Sequence, residues 1–136
     1  MKRFKLIEHT ADVGLIAYGE SLEEAFANAA YGLFSIIADL KDVKEKESRK
    51  VVISEDDIEV MLVEWLNNLI FFFDVERLLF NRFEIKLSEN HHLAARCYGE
   101  EYDPRRHHVK LGVKAATYHM LRVDEEKHQV QVIFDV

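Results

Sequence analysis

The sequence holds a single cysteine, Cys97, in 136 residues. That excludes an intramolecular disulfide and any zinc site built on cysteines alone, and Cys97 reads as a buried structural thiol. With one proline, Pro104, and five scattered glycines, there is no low-complexity linker, and no internal repeat is present. The chain reads as one domain over residues 1–136, long enough to bury a real core. The longest near-apolar run, Leu69 to Phe73, is too short to cross a bilayer. Lys2, Arg3 and Lys5 are not followed by the apolar stretch of a secretion signal. The expectation is a cytoplasmic protein with no membrane partner.

Net positive charge is also missing. Acidic residues outnumber basic ones 25 to 18, for a formal charge of −7. This argues against a broad, non-specific binder of nucleic acid, which needs net positive charge to displace counterions from phosphates. It leaves open a role in RNA processing through a protein partner, and a local basic patch. No phosphate-binding glycine loop, dinucleotide fingerprint or nucleophile elbow occurs.

What is present is patterned apolar sequence. Phe4–Glu8 and Val13–Tyr18 read as short strands around a turn at His9–Asp12. Ser21 with Glu24 fits a capping box, and Leu22, Ala25, Phe26, Ala29, Leu33, Ile36 and Ile37 follow at helical spacing to about Ala38. Nine of the twelve residues from Asp39 to Lys50 are charged and read as a solvated loop before a strand at Val51–Ile53. Ser54 and Asp57 mark a second helix start, with Ile58, Met61, Leu62, Trp65, Leu66, Leu69, Ile70 and Phe73 in three-and-four spacing. Its end is open, because Asp74 to Phe80 fits either more helix or a short second one.

The period then changes to two. Phe83, Ile85 and Leu87 alternate with polar residues, and Glu89-Asn90 fits the turn to a return strand at Leu93–Tyr98. Strands follow at about Val113–Val123 and Gln129–Asp135, with Val130, Val132 and Phe134 on one face and Gln131, Ile133 and Asp135 on the other. The expected fold is α+β, with two amphipathic helices packed on a mostly antiparallel sheet of six or seven strands.

Two stretches at opposite ends carry the candidate chemistry. Asp12 lies in the first turn, where an Asx-type turn is the plain structural reading. Asp135 sits one residue before Val136, whose α-carboxylate adds a second negative group. Clustered carboxylates repel unless a cation or proton lies between them. If the two ends meet, Asp12, Asp135 and Val136 form an oxygen cluster suited to Ca²⁺ or Mg²⁺. His9 is placed near such an ion rather than on it, because hard cations rarely take imidazole. Lys114 is either a solvated lysine or a cation beside this cluster. The pairs His91-His92 and His107-His108 read as decoration of a hairpin turn and of the Pro104 loop. Glu55-Asp56-Asp57 is explained by the helix start.

Five stretches in order resemble the archease family over the whole chain. They are Glu8–Gly14, Ser21–Phe26, Glu64–Leu69, Val113–His119 and the terminal Val132–Val136. The resemblance implies an α+β fold and a divalent-ion site, often seen as Ca²⁺, that maps onto Asp12, Asp135 and Val136. It implies a functional role for Lys114. It further implies a non-catalytic cofactor of an RtcB-type RNA ligase in tRNA splicing and RNA repair, promoting guanylylation of the ligase and its multiple turnover. RNA would be met only indirectly, through that ligase. A chaperone-like modulator of nucleic-acid-processing proteins and, further off, a metal-dependent enzyme with His9 as base are the competing readings.

Overall fold

The computed structural model describes residues 2–9 and 12–136, with the side chains of Glu8 and His9 left out of the description. Nine elements follow in order. They are β1 (Phe4–His9), β2 (Asp12–Tyr18), α1 (Leu22–Ile37), β3 (Glu47–Ser54), α2 (Ile58–Glu76), β4 (Leu78–Ser88), β5 (His92–Glu101), β6 (Ala115–Asp124) and β7 (Gln129–Asp135).

The α+β class stands, and the strands divide between two sheets that are antiparallel throughout. One has the order β1-β2-β7-β6 and the other β3-β5-β4. The helices lie between them. α1 packs on β2 on one side and on β4 on the other, so it is apolar on more than one stripe. On the β2 side there is no room for a side chain at Gly32, where a Cβ would lie 2.8 Å from Leu15 Cδ1. On the β4 side Phe34 meets Phe80 edge-on at 5.6 Å and stacks with Phe83 at 6.0 Å. α2 is tied to α1 by the buried Trp65, whose Nε1–H donates to the Phe26 carbonyl at 3.1 Å.

The helix starts are chemical. Ser21 Oγ accepts from the Glu24 amide, while the Glu24 carboxylate reaches back to the Glu20 amide rather than to Ser21. At α2 the cap is Asp57, whose Oδ1 accepts from the amides of Glu59 and Val60. Ser54, the other candidate start, belongs to β3 and bonds His92. α2 ends because Arg77 turns into the left-handed region at φ 57° and returns its amide toward Phe72 and Phe73.

Three expectations are corrected by packing. The charged stretch is not all solvated loop. Leu40 and Val43 are buried, and β3 begins at Glu47, four residues before Val51. Residues 78–82 start β4 rather than prolong a helix, because Leu78, Leu79 and Phe80 fill the core below α1. His107 is not loop decoration but a buried residue, 5% exposed. The Cys97 thiol is buried as expected, and burial pushes its pKa up to about 12. Among the described residues no helix is long and apolar enough to cross a membrane.

Candidate functional site

The two ends of the chain meet. β2 and β7 are antiparallel neighbours at the centre of the four-stranded sheet, and their register places Asp12 directly opposite Asp135. On the flanks, His9 of β1 stands opposite Asp12, and Ala115 of β6 opposite Asp135. One row across four strands therefore reads His9, Asp12, Asp135, Ala115. As directly opposed residues of an antiparallel pair, Asp12 and Asp135 share a face, with Cα atoms about 5 Å apart.

That face is the outer one. Alternation turns Leu15, Ala17, Val130, Val132 and Phe134 toward the helices, where they are buried. Asp135 is exposed and Asp12 half-buried. Behind the row, Gly14 pairs with both Ile7 and Ile133, and a Cβ there would lie 3.0 Å from each of those side chains.

Lys114 lies just before β6, which begins at Ala115, two residues after the expected start at Val113. Its amide donates to the Asp135 carbonyl at 2.8 Å, and its side chain is exposed. Val136 is half-buried against the core, which holds the end of β7 in place. The His9 side chain lies outside the described residues, as do Thr10 and Ala11 of the turn.

The donor chemistry fits a hard divalent cation. Two carboxylates are set opposite each other, an arrangement that like charges alone disfavour. Both offer oxygen, as Ca²⁺ and Mg²⁺ require. Among the described residues no group of three or more His, Cys, Asp or Glu side chains converges as a ligand set. An ion at the row would thus take its side-chain oxygens from Asp12 and Asp135, with Val136 and water completing the shell.

Two functional-looking constellations escaped the sequence reading. Asn67 of α2 clamps the first residues of β6: its Oδ1 accepts from the Ala116 amide at 2.8 Å and its Nδ2 donates to the Ala116 carbonyl at 3.4 Å. A side-chain amide thereby does the work of a neighbouring strand on the edge next to Lys114. The only hint was a polar residue in a wide apolar helix face. The second is a buried charge cluster on Glu100, which is 3% exposed. Burial alone would raise its pKa. Hydrogen bonds from Arg106, from the Lys44 amide and from His107 override that and bring it down to about 2. His107 Nδ1 accepts from the Asp103 amide at 2.9 Å, so its ring proton sits on Nε2, facing Glu100 at 3.0 Å.

Residues 4–136 match the family model described as the Archease protein family (MTH1598/TM1083). The chain is 38% identical to protein archease of Sulfurisphaera tokodaii, covering 100% of this chain and 99% of that one. It is 41% identical to protein archease of Pyrococcus abyssi, covering 92% and 90%. The solution structure of Methanobacterium thermoautotrophicum protein 1598 superposes with a TM-score of 0.83 at 35% identity, covering all of both chains. The crystal structure of a Thermotoga maritima archease, described as a possible chaperone, shares the fold with a TM-score of 0.62 at 21% identity, covering 97% and 96%.

Proposed function

This chain belongs to the archease family, and on that premise we propose that it is a non-catalytic cofactor that activates an RtcB-type RNA ligase. It promotes guanylylation of the ligase and so permits repeated turnover in tRNA splicing or RNA repair. The observation that supports this reading is the direct opposition of Asp12 and Asp135 at the exposed end of the β2–β7 pair. Lys114 is tied to the same row through its backbone.

Asp12, Asp135 and Val136 hold a divalent cation, Ca²⁺ or Mg²⁺, which supplies positive charge to neutralise phosphate oxygens when bound. The residues' own share is positional. Opposed strands fix the two carboxylates in one row, and the Lys114 amide bond to Asp135 fixes where the lysine leaves the backbone. The exposed ammonium of Lys114 offers a second cation to a nucleotide or to a partner carboxylate. His9 pairs with Asp12 in the strand register, and it is assigned a place near the ion rather than on it. The test is formation of the ligase–GMP adduct with GTP. Substoichiometric protein should accelerate it, and ligase already carrying GMP should gain nothing in its first turnover.

A chaperone-like action on nucleic-acid-processing proteins is the second reading. What favours it is a pair of apolar side chains one turn apart on α2, Phe71 and Val75, which are 57% and 61% exposed. Suppression of a client's aggregation that disappears in Phe71→Ser with Val75→Ser, with adduct formation unmoved, would select it.

A further inference from the structure

The outward face of the three-stranded sheet gathers positive charge on an acidic chain. Alternation turns Val51, Ile53, Leu93, Ala95 and Cys97 into the core. The other set of residues is left to solvent. In register, Lys50 stands opposite Arg96, and Arg96 opposite Glu84. The neighbouring row is Val52, Ala94 and Lys86, and the row on the other side is Ser48, Tyr98 and Arg82. Lys50, Arg82, Lys86 and Arg96 are all exposed.

The carboxylates near this face are committed. Glu84 bonds Arg82 at 2.9 Å and accepts from the Tyr98 hydroxyl at 2.6 Å, while Glu45 bonds Arg82 at 2.8 Å. The Arg82 guanidinium also lies 3.8 Å from the Tyr98 ring centre. Lys50 and Lys86 pair with no carboxylate within 4.0 Å among the described residues. Arg96 donates to the Ser48 hydroxyl. At the centre, Ala94 raises only a methyl group above the sheet and leaves a shallow depression of about 260 Å³ bordered by Lys50, Lys86, Arg96 and the Arg82-bonded Glu84.

We propose that this face binds the phosphate backbone of single-stranded RNA. Lys50 and Arg96 share one row, Lys86 stands in the next and Arg82 in the row on the other side, and rows repeat about every 6.7 Å along a strand, so the cations form a track rather than a point. The flat apolar centre at Ala94 and Val52, the latter 63% exposed, is open to base faces lying beside the phosphates. A carboxylate-bearing peptide would find no closed pocket here, so the open track favours an extended polyanion with flat bases. RNA is thereby met directly, beyond the indirect contact that a ligase partner would provide. The proposal is separate from the ligase reading, because Asp12 and Asp135 belong to the other sheet.

The probe is a labelled oligouridylate of about 12 nucleotides, followed by fluorescence anisotropy at several salt concentrations. Three cations releasing counterions from a single strand give a slope of log K against log salt of about −2, hence a roughly twentyfold loss of affinity between about 50 and about 200 mM salt. The variant Lys50→Ala, Lys86→Ala, Arg96→Ala should bring the slope near zero while ligase–GMP formation is unchanged. Should that variant fail to fold, Lys86→Ala alone should lower the slope by about 0.7. No binding at low salt, an unchanged slope in the variants, or tighter binding of polyglutamate than of RNA at equal salt would each overturn the proposal. The last outcome would assign the face to an acidic polypeptide.

Discussion

Asp12 and Asp135, separated by nearly the whole chain, are direct cross-strand partners in the β2–β7 pairing. The register does this without any loop. Tyr18 pairs with Gln129 at one end, and every step of two residues returns the same face, until Asp12 and Asp135 close the other end. A one-residue slip of either strand would turn its own carboxylate into the apolar interior and its apolar set out to solvent, so the core fixes the site.

The oxygen row should bind a divalent cation. Calorimetry with Ca²⁺ and with Mg²⁺ should show one site in the native chain. Asp12→Asn and Asp135→Asn should each weaken it roughly tenfold or more, as loss of one charged ligand from a hard-cation site does. Residues appended after Val136 should weaken it as well. Equal affinity in Asp12→Asn and the native chain would remove Asp12 from the ligand set.

Much of this was legible in the sequence. The two helices were readable from their three-and-four spacing and their caps, and the outer position of Asp135 from its alternation with Val132 and Phe134. The pairing of Asp12 with Asp135 rested on a resemblance, because no local pattern states which strands become neighbours. For the same reason the split into two sheets was not readable. Only the Val51–Ile53 part of β3 was readable; its first half hid inside charged sequence because Glu47 to Arg49 are only partly covered, Lys50 is exposed, and the four carry no apolar alternation. The Glu100 cluster joins Arg106 and His107, across an irregular loop, to the amide of Lys44, 56 residues away, and neither arrangement leaves a periodic spacing to find.

Glu100 gives a pH signature. Its folded pKa of about 2 lies below the ordinary carboxylate value of 4.5, so its stabilisation is complete above about pH 4.5 and is lost as pH falls toward 2. The loss over that window is on the order of 3 kcal/mol. Denaturant unfolding at a series of pH values should show this loss in the native chain and a flatter profile over the same window in Glu100→Gln. Parallel profiles would contradict the assignment.

The Asn67 clamp should show up as stability. Asn67→Ala leaves the amide and carbonyl of the buried Ala116 without these partners, at a cost of about 1–3 kcal/mol. Asn67→Asp restores only the acceptor and should fall between the two. Chemical denaturation is the measurement, and an Asn67→Ala variant as stable as the native chain would show that the edge does not need its clamp.

Gly99 should tolerate nothing larger. It pairs with Phe80 beside the register shift between Phe80 and Arg82, and a Cβ there would lie 1.8 Å from the Leu79 carbonyl oxygen. Backbone would have to move. Gly99→Ala should destabilise by roughly 3 kcal/mol or more, with a lowered Tm, as strain at a closed backbone contact does. By contrast Gly112, with nothing within 4 Å of a built Cβ, should accept alanine with little change.

The account's central claim is that the Asp12–Asp135 row, with Lys114 beside it, activates a ligase. The most direct measurement is the rate of ligase–GMP adduct formation with substoichiometric native protein and with Asp12→Ala, Lys114→Ala and Asp135→Ala, each first checked for an unchanged unfolding midpoint. Each variant should lose most of the acceleration, roughly tenfold or more, because each removes charge from the row. If all three accelerate adduct formation as well as the native chain does, the row is not the activating site and the account fails.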